Sequence, residues 1–149
     1  MKSLFFVFLV SCFVLIPGKS NAQMTKTEVE DMFELTSATY AFERMCYLML
    51  GGPDSYFLVN QRILRDQLEL MKMMEDPELT QREARMYVRS LSRSVSQDVR
   101  TLVDRFGCET PEREIFVDHY QYLRNMTPER FSALLLAPQG DQTGQNNSR

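Results

Sequence analysis

The sequence predicts an all-α fold: an up-down-up bundle of four main helices plus a short C-terminal helix, clamped by one disulfide. Three observations predict it. Apolar residues recur at steps of three and four along the long segments, and no segment alternates apolar and polar as a half-buried strand does. Two segments open on capping boxes. Beyond the amino-terminal segment only Cys46 and Cys108 remain, and an up-down-up path brings the end of a first helix and the end of a third to one pole.

Residues 1–22 read as a secretory signal. Lys2 gives a basic start, residues 4–16 an apolar run, Pro17-Gly18 a helix breaker, and Ser20-Asn21-Ala22 a small-residue cleavage pattern before Gln23. The run is shorter than the roughly 20 apolar residues that a membrane span needs, and no later stretch reaches that length. A second reading makes Leu9-Val10-Ser11-Cys12 a lipoprotein box with Cys12 acylated. The apolar residues 13–16 that follow, where such a tether is polar, weigh against it. The chain is therefore expected to be extracytoplasmic, in the periplasm or secreted, with residues 23–137 as one helical domain. An oxidising compartment and two cysteines make a Cys46–Cys108 disulfide the default.

The organiser is the first helix, expected over residues 25–50. Thr25-Lys26-Thr27-Glu28 is its capping box, and Glu28, Glu30, Asp31 and Glu34 lie toward the positive end of its dipole. Val29, Phe33, Thr36, Tyr40 and Tyr47 form one strip, and Leu35, Thr39, Phe42, Cys46 and Met49 the adjoining one. So wide an apolar arc needs more than one neighbour. Gly51-Gly52-Pro53 ends it.

A second helix, capped by Asp54 or Ser55, runs to about Glu75 with Phe57, Leu64, Leu68 and Met71 inward, flanked by Ile63, Leu70 and Met74. Its outer side carries the spaced pairs Arg62 with Asp66 and Arg65 with Glu69. Asp76-Pro77 stops it. Thr80-Gln81-Arg82-Glu83 opens a third helix, along which Ala84, Val88, Leu91, Val95, Val99, Leu102 and Phe106 recur until Gly107, the left-handed residue that closes it. Thr110-Pro111 and Thr127-Pro128 each place a threonine cap before a proline, opening a fourth helix with Phe116, Tyr120 and Leu123 and a short fifth with Phe131 and Leu134-Leu135-Leu136. Residues 138–149 are polar, with nothing to anchor them, and are expected to be a disordered tail.

Removing residues 1–22 takes Lys2 and Lys19, leaving 15 of the 17 basic residues against 20 acidic ones, a net charge of −5. That balance argues against a nucleic-acid binder. Catalysis has little to work with: His119 is the one histidine, and Asp118 beside it points about 100° away on a helix. No zinc spacing, phosphate-binding glycine loop or nucleophile elbow occurs. Met71, Met73 and Met74 cluster, and thioethers suit Cu(I). Met71 and Met74 fall toward the apolar arc, however, with only Met73 outward, so core filling is the expectation and no metal or cofactor is implied. Asn125-Met126-Thr127 and Asn146-Asn147-Ser148 match the glycosylation acceptor pattern, the first followed at once by Pro128.

One feature resists a bland reading. Arg82, Arg89, Arg93 and Arg100 line up opposite the apolar strip of the third helix, with Arg85 beside them, and only Asp104 is placed to neutralise the row within the helix. The ordinary account is a solvated face. The functional account is docking to an acidic protein partner or an anionic surface, since guanidinium groups make planar, bidentate contacts with carboxylate and phosphate. The expectation is a non-catalytic interaction module of inhibitor, immunity or adaptor type. The alternative is a carrier holding a small apolar ligand in a cavity between helices.

Overall fold

The computed structural model describes residues 24–47 and 55–136. They form α1 (Lys26–Cys46), α2 (Phe57–Glu75), α3 (Gln81–Phe106), a 3-10 turn (Gly107–Glu109), α4 (Arg113–Asn125) and α5 (Pro128–Leu136), with no strand among the described residues. The expected signal, the expected tail, residues 48–50 of the expected first helix, the Gly51-Gly52-Pro53 stop and the Asp54 cap lie outside the described residues.

Both capping boxes are formed. Thr25 Oγ1 accepts from the Glu28 amide at 3.3 Å while the Glu28 carboxylate accepts from the Thr25 amide at 2.7 Å. Thr80 and Glu83 repeat the exchange at 3.3 and 2.9 Å. Each cap contributes about 1 kcal/mol by satisfying amides that a helix start leaves open.

α1 packs against α2, α3 and α4. Thr36, Ser37, Ala38 and Thr39 are consecutive and all fully buried. Successive helical residues are turned by about 100°, so four in a row point to every side, and the middle of α1 is enclosed. One core cluster joins Phe33 of α1 to Phe57 and Leu64 of α2, Leu123 of α4 and Phe131 of α5. A second joins Ala38 and Phe42 of α1 to Val95 and Val99 of α3 and Phe116 of α4. The rings of Phe42 and Phe116 lie 4.9 Å apart, those of Phe57 and Tyr120 5.1 Å.

The disulfide joins Cys46 at the end of α1 to Cys108 in the turn after α3, with their Cα atoms 5.6 Å apart. Gly107, at φ +71°, ends α3 and swings the chain into that turn, a backbone conformation L side chains rarely adopt. Closing a loop of 62 residues constrains the unfolded chain by about 4 kcal/mol on the entropic account.

Several local expectations are corrected. α2 begins at Phe57 without a side-chain cap, and Ser55 Oγ reaches the Phe57 amide only at 3.4 Å. What holds this end is tertiary, the Tyr56 amide donating to the carbonyl of Arg124 at 3.1 Å. Leu70 and Met74, expected to flank the core, are exposed, Met74 by 73%. On the helical turn Leu70 lies about 120° and Met74 about 80° from buried Leu64, on the side of exposed Val59 and Asp66. Phe106 is half exposed because it lies past the last core position of α3, with the Arg105 guanidinium 5.0 Å over its ring. Arg62 does not pair with Asp66; Arg65 takes that carboxylate at 2.8 Å and reaches Glu69 at 3.8 Å. α4 starts two residues later than Pro111, after a turn in which buried Thr110 accepts from the Glu112 amide at 3.2 Å. Thr127 caps α5 as expected, accepting from the Arg130 amide at 3.4 Å.

Asn60 is a residue the helical pattern did not single out. It is fully buried on α2, and its Nδ2 donates to the carbonyls of Leu123 at 2.9 Å and Met126 at 2.7 Å. These are among the carbonyls that the end of a helix leaves without an intrahelical donor. Asn60 thus serves as the carboxy-terminal cap of α4, supplied from another helix. Replacing Asn60 with Ala should lower the unfolding free energy in urea by about 1–2 kcal/mol: the Leu123 and Met126 carbonyls lose their donor, while the buried Asn60 Oδ1, without a partner among the described residues, is removed. A loss below about 0.5 kcal/mol would show that water replaces the amide. Reducing the disulfide, or Cys108→Ser, should cost about 2–4 kcal/mol in the same measurement while far-UV circular dichroism stays helical.

Candidate functional site

The described residues divide their charge between two places. The first is the amino-terminal half of α1. Burial, then the carboxylates of Glu30 and Glu28, hold Asp31 above the usual carboxylate range. Burial, then Asp31, Glu30 and Asp98 of α3, do the same for Glu34. Tyr87 of α3 donates its hydroxyl to Glu30 in a short hydrogen bond that pushes the phenol up to about 12. Here α1 and α3 meet through an acidic seam.

The second is the outer face of α3. Arg82, Arg89, Arg93 and Arg100 are all exposed, and none of them forms an ion pair among the described residues. Asp104 does not neutralise Arg100 either. Arg85, which the sequence set beside the row, is engaged elsewhere: its Nε lies 3.6 Å from Glu69 of α2, a carboxylate also approached by Arg65. Two guanidinium groups thus flank one largely buried acid at the α2–α3 contact. The row proper is four residues, with Met86, 53% exposed, between the first two arginines. The four-residue step from Arg82 would have found Met86 in the sequence, but an exposed methionine looks like any other apolar residue there. Asp98, two positions before Arg100, is turned about 200° from it and faces the acidic seam. Asp98 is thus turned away from the arginine row.

His119 is placed against the centre of α1. Its Nε2 lies 2.9 Å from Thr36 Oγ1, and that hydroxyl donates its own proton to the carbonyl of Met32 at 2.7 Å. The ring nitrogen must then be the donor, so the neutral imidazole carries its proton on Nε2 and joins α4 to the centre of α1. Burial pushes its pKa down to about 4. Glu43, buried on α1, is raised by the same cause. No group of three or more metal-ligating side chains occurs among the described residues. Met73 is part-buried and Met74 is the outward one, the reverse of the sequence expectation. A depression of about 360 Å³ on α4 and α5, lined by Tyr122, Asn125, Met126 and Arg130, is open to solvent and not enclosed between helices. No helix among the described residues is long and apolar enough to cross a membrane.

The lowered pKa of His119 has a definite sign. Its folded value lies below the unfolded one near 6.5, so the stability it contributes is complete above that pH and is lost as pH falls from about 6.5 toward 4. The full loss is on the order of 3 kcal/mol. Asp31, Glu34 and Glu43 act oppositely, since raised carboxylates gain stability on protonation. His119→Gln keeps a donor for Thr36 and removes only the first contribution. Between pH 7 and pH 4.5 the wild type should lose about 2 kcal/mol more unfolding free energy than the variant. Parallel titration of the two proteins would refute the assignment.

No protein-family model, curated protein or solved structure matches this chain.

Proposed function

We propose that this chain is an extracytoplasmic, non-catalytic interaction module that docks an acidic protein surface through Arg82, Arg89, Arg93 and Arg100 of α3. The observation that carries the reading is that these four exposed guanidinium groups have no ion-pair partner among the described residues of a chain with a net negative charge. Arg82 adds to it. It sits in the first turn of α3, where the helix dipole disfavours a cation, and makes no described contact that repays the position. Some arginines of the same bundle do find partners, Arg85 and Arg65 at Glu69 and Arg113 at the Tyr47 hydroxyl, 2.6 Å away, whereas Arg62 of α2 is unpaired among the described residues. The extracytoplasmic setting rests on the disulfide and on the signal-like residues 1–22.

Charge reversal tests it. The double variant Arg89→Glu, Arg93→Glu should lose, and Arg62→Glu on α2 should keep, the proteins captured by the mature chain from its own secretory compartment. The wild-type capture should weaken as salt is raised. Because surface substitutions alter stability by about 0.5 kcal/mol or less, both variants should unfold with the wild type. Capture that survives the double reversal, or that fails equally in the Arg62 control, overturns the proposal.

A further inference from the structure

We infer that the acidic surface which α3 receives is itself an α-helix, lying lengthwise along α3; this rests on the docking role proposed above and names the partner's structure. The positions on the outer face of α3 that would contact such a helix are Arg82, Met86, Arg89, Arg93, Ser96 and Arg100. Their steps are four, three, four, three and four, so all six fall in one stripe about 80° wide along the helix. Such a stripe stays on one side of α3 for its whole length, as the contact face of a second helix lying along it does. A straight helix drifts by only about 20° per seven residues against such a seam, and a partner crossing at about 20° follows it along its whole length.

The side chains on the seam fit a helix better than other acidic surfaces. Arg82 and Arg89, and again Arg93 and Arg100, are seven residues apart, which is about 10.5 Å along the axis. Carboxylates seven apart on another helix repeat at the same distance. Residues on one face of a β-strand repeat at roughly 7 Å and fall out of step. Met86, 53% exposed, supplies a thioether between two guanidinium groups, a contact that suits an apolar side chain and has no use for a sulfated sugar or a lipid headgroup. Ser96, part-buried between Arg93 and Arg100, is small, and its hydroxyl is turned back to the carbonyl of Ser92 at 2.8 Å. The spacing of the arginines, seven then four then seven, reads the same in both directions. Met86 and its mirror position Ser96 break that symmetry, so the pair sets whether the partner runs parallel or antiparallel.

The probe is a helical peptide of about 25 residues with four Glu in the seven-four-seven spacing. It carries a Leu four residues after the first Glu and another four before the last, so that either orientation can reach Met86. The comparator has the same composition with the Glu residues five apart, which spreads them around the helix. Further probes are polyglutamate and a heparin-type sulfated oligosaccharide. Affinity for the full mature chain is read by fluorescence anisotropy at fixed salt, and the contact is located by amide shifts in α3. The matched peptide should bind at least ten times more tightly than the comparator, and Met86→Glu should lower that affinity about tenfold. Equal affinity for matched and scrambled peptides, or tighter binding of the oligosaccharide, overturns the helical partner. In either case the loss of capture in the Arg89→Glu, Arg93→Glu variant would still support acidic docking. Capture that survives that variant removes the docking role itself, so the two failures are told apart.

Discussion

Everything in this bundle is arranged around the enclosure of α1 at Thr36, Ser37, Ala38 and Thr39. Three neighbours close on that point, and only small side chains fit where they do. Small residues with β-hydroxyl groups bring polar atoms into the interior, where each requires a partner or costs about 1–3 kcal/mol. Thr36 is satisfied twice, by Met32 and by His119. Ser37 and Thr39 have hydroxyls without a hydrogen-bond partner among the described residues. The close approach at Ala38, which brings Val95 and Val99 of α3 against Phe42, is therefore achieved at some expense in polar satisfaction.

The remaining constraints follow from that centre. The disulfide fixes the pole where α1 and α3 end, so the second core cluster can rely on Phe42 and Phe116 without a second long helix from α2 beside them. The other half of the molecule is held by Asn60, which joins α2 to the end of α4 and thereby sets where α5 starts. α5 then covers part of α2 and leaves Leu70 and Met74 open. Their exposure follows from the helical period, which sets Leu70 about 120° and Met74 about 80° around α2 from buried Leu64.

Locally encoded features were legible in the sequence. Thr25 with Glu28 and Thr80 with Glu83 are recognisable because both partners lie three residues apart, and Gly107 because one residue type tolerates its conformation. Cys46 and Cys108 were legible by elimination once the helices had been placed. Choices among distant partners were not. Arg65 rather than Arg62 takes Asp66, Arg85 turns to Glu69 on another helix, and His119 finds Thr36 across 83 positions. Asn60 has the same character: a polar residue amid an apolar helix face reads as an imperfection until the carbonyls of Leu123 and Met126 stand opposite it. The row on α3 was legible as a row, whereas its freedom from ion pairs depended on where every neighbouring acid pointed.

That freedom bears on what selects the row. An exposed ion pair contributes only about 0–1 kcal/mol, so folding stability has little hold on where surface charges sit. Stability alone would not keep four arginines on one side of α3 while Glu30, Asp31, Glu34 and Asp98 crowd together at its contact with α1. The crowding is unfavourable for the folded chain, since Asp31 and Glu34 are both raised by burial and by one another's neighbours. Bringing these acids to the arginine face would relieve repulsion and cancel the row at the same time. Their separation leaves a field directed across the bundle, and such a field accelerates and orients encounters with an oppositely charged surface more than it strengthens a fold. A charge distribution that costs the monomer is what the proposed docking role would account for.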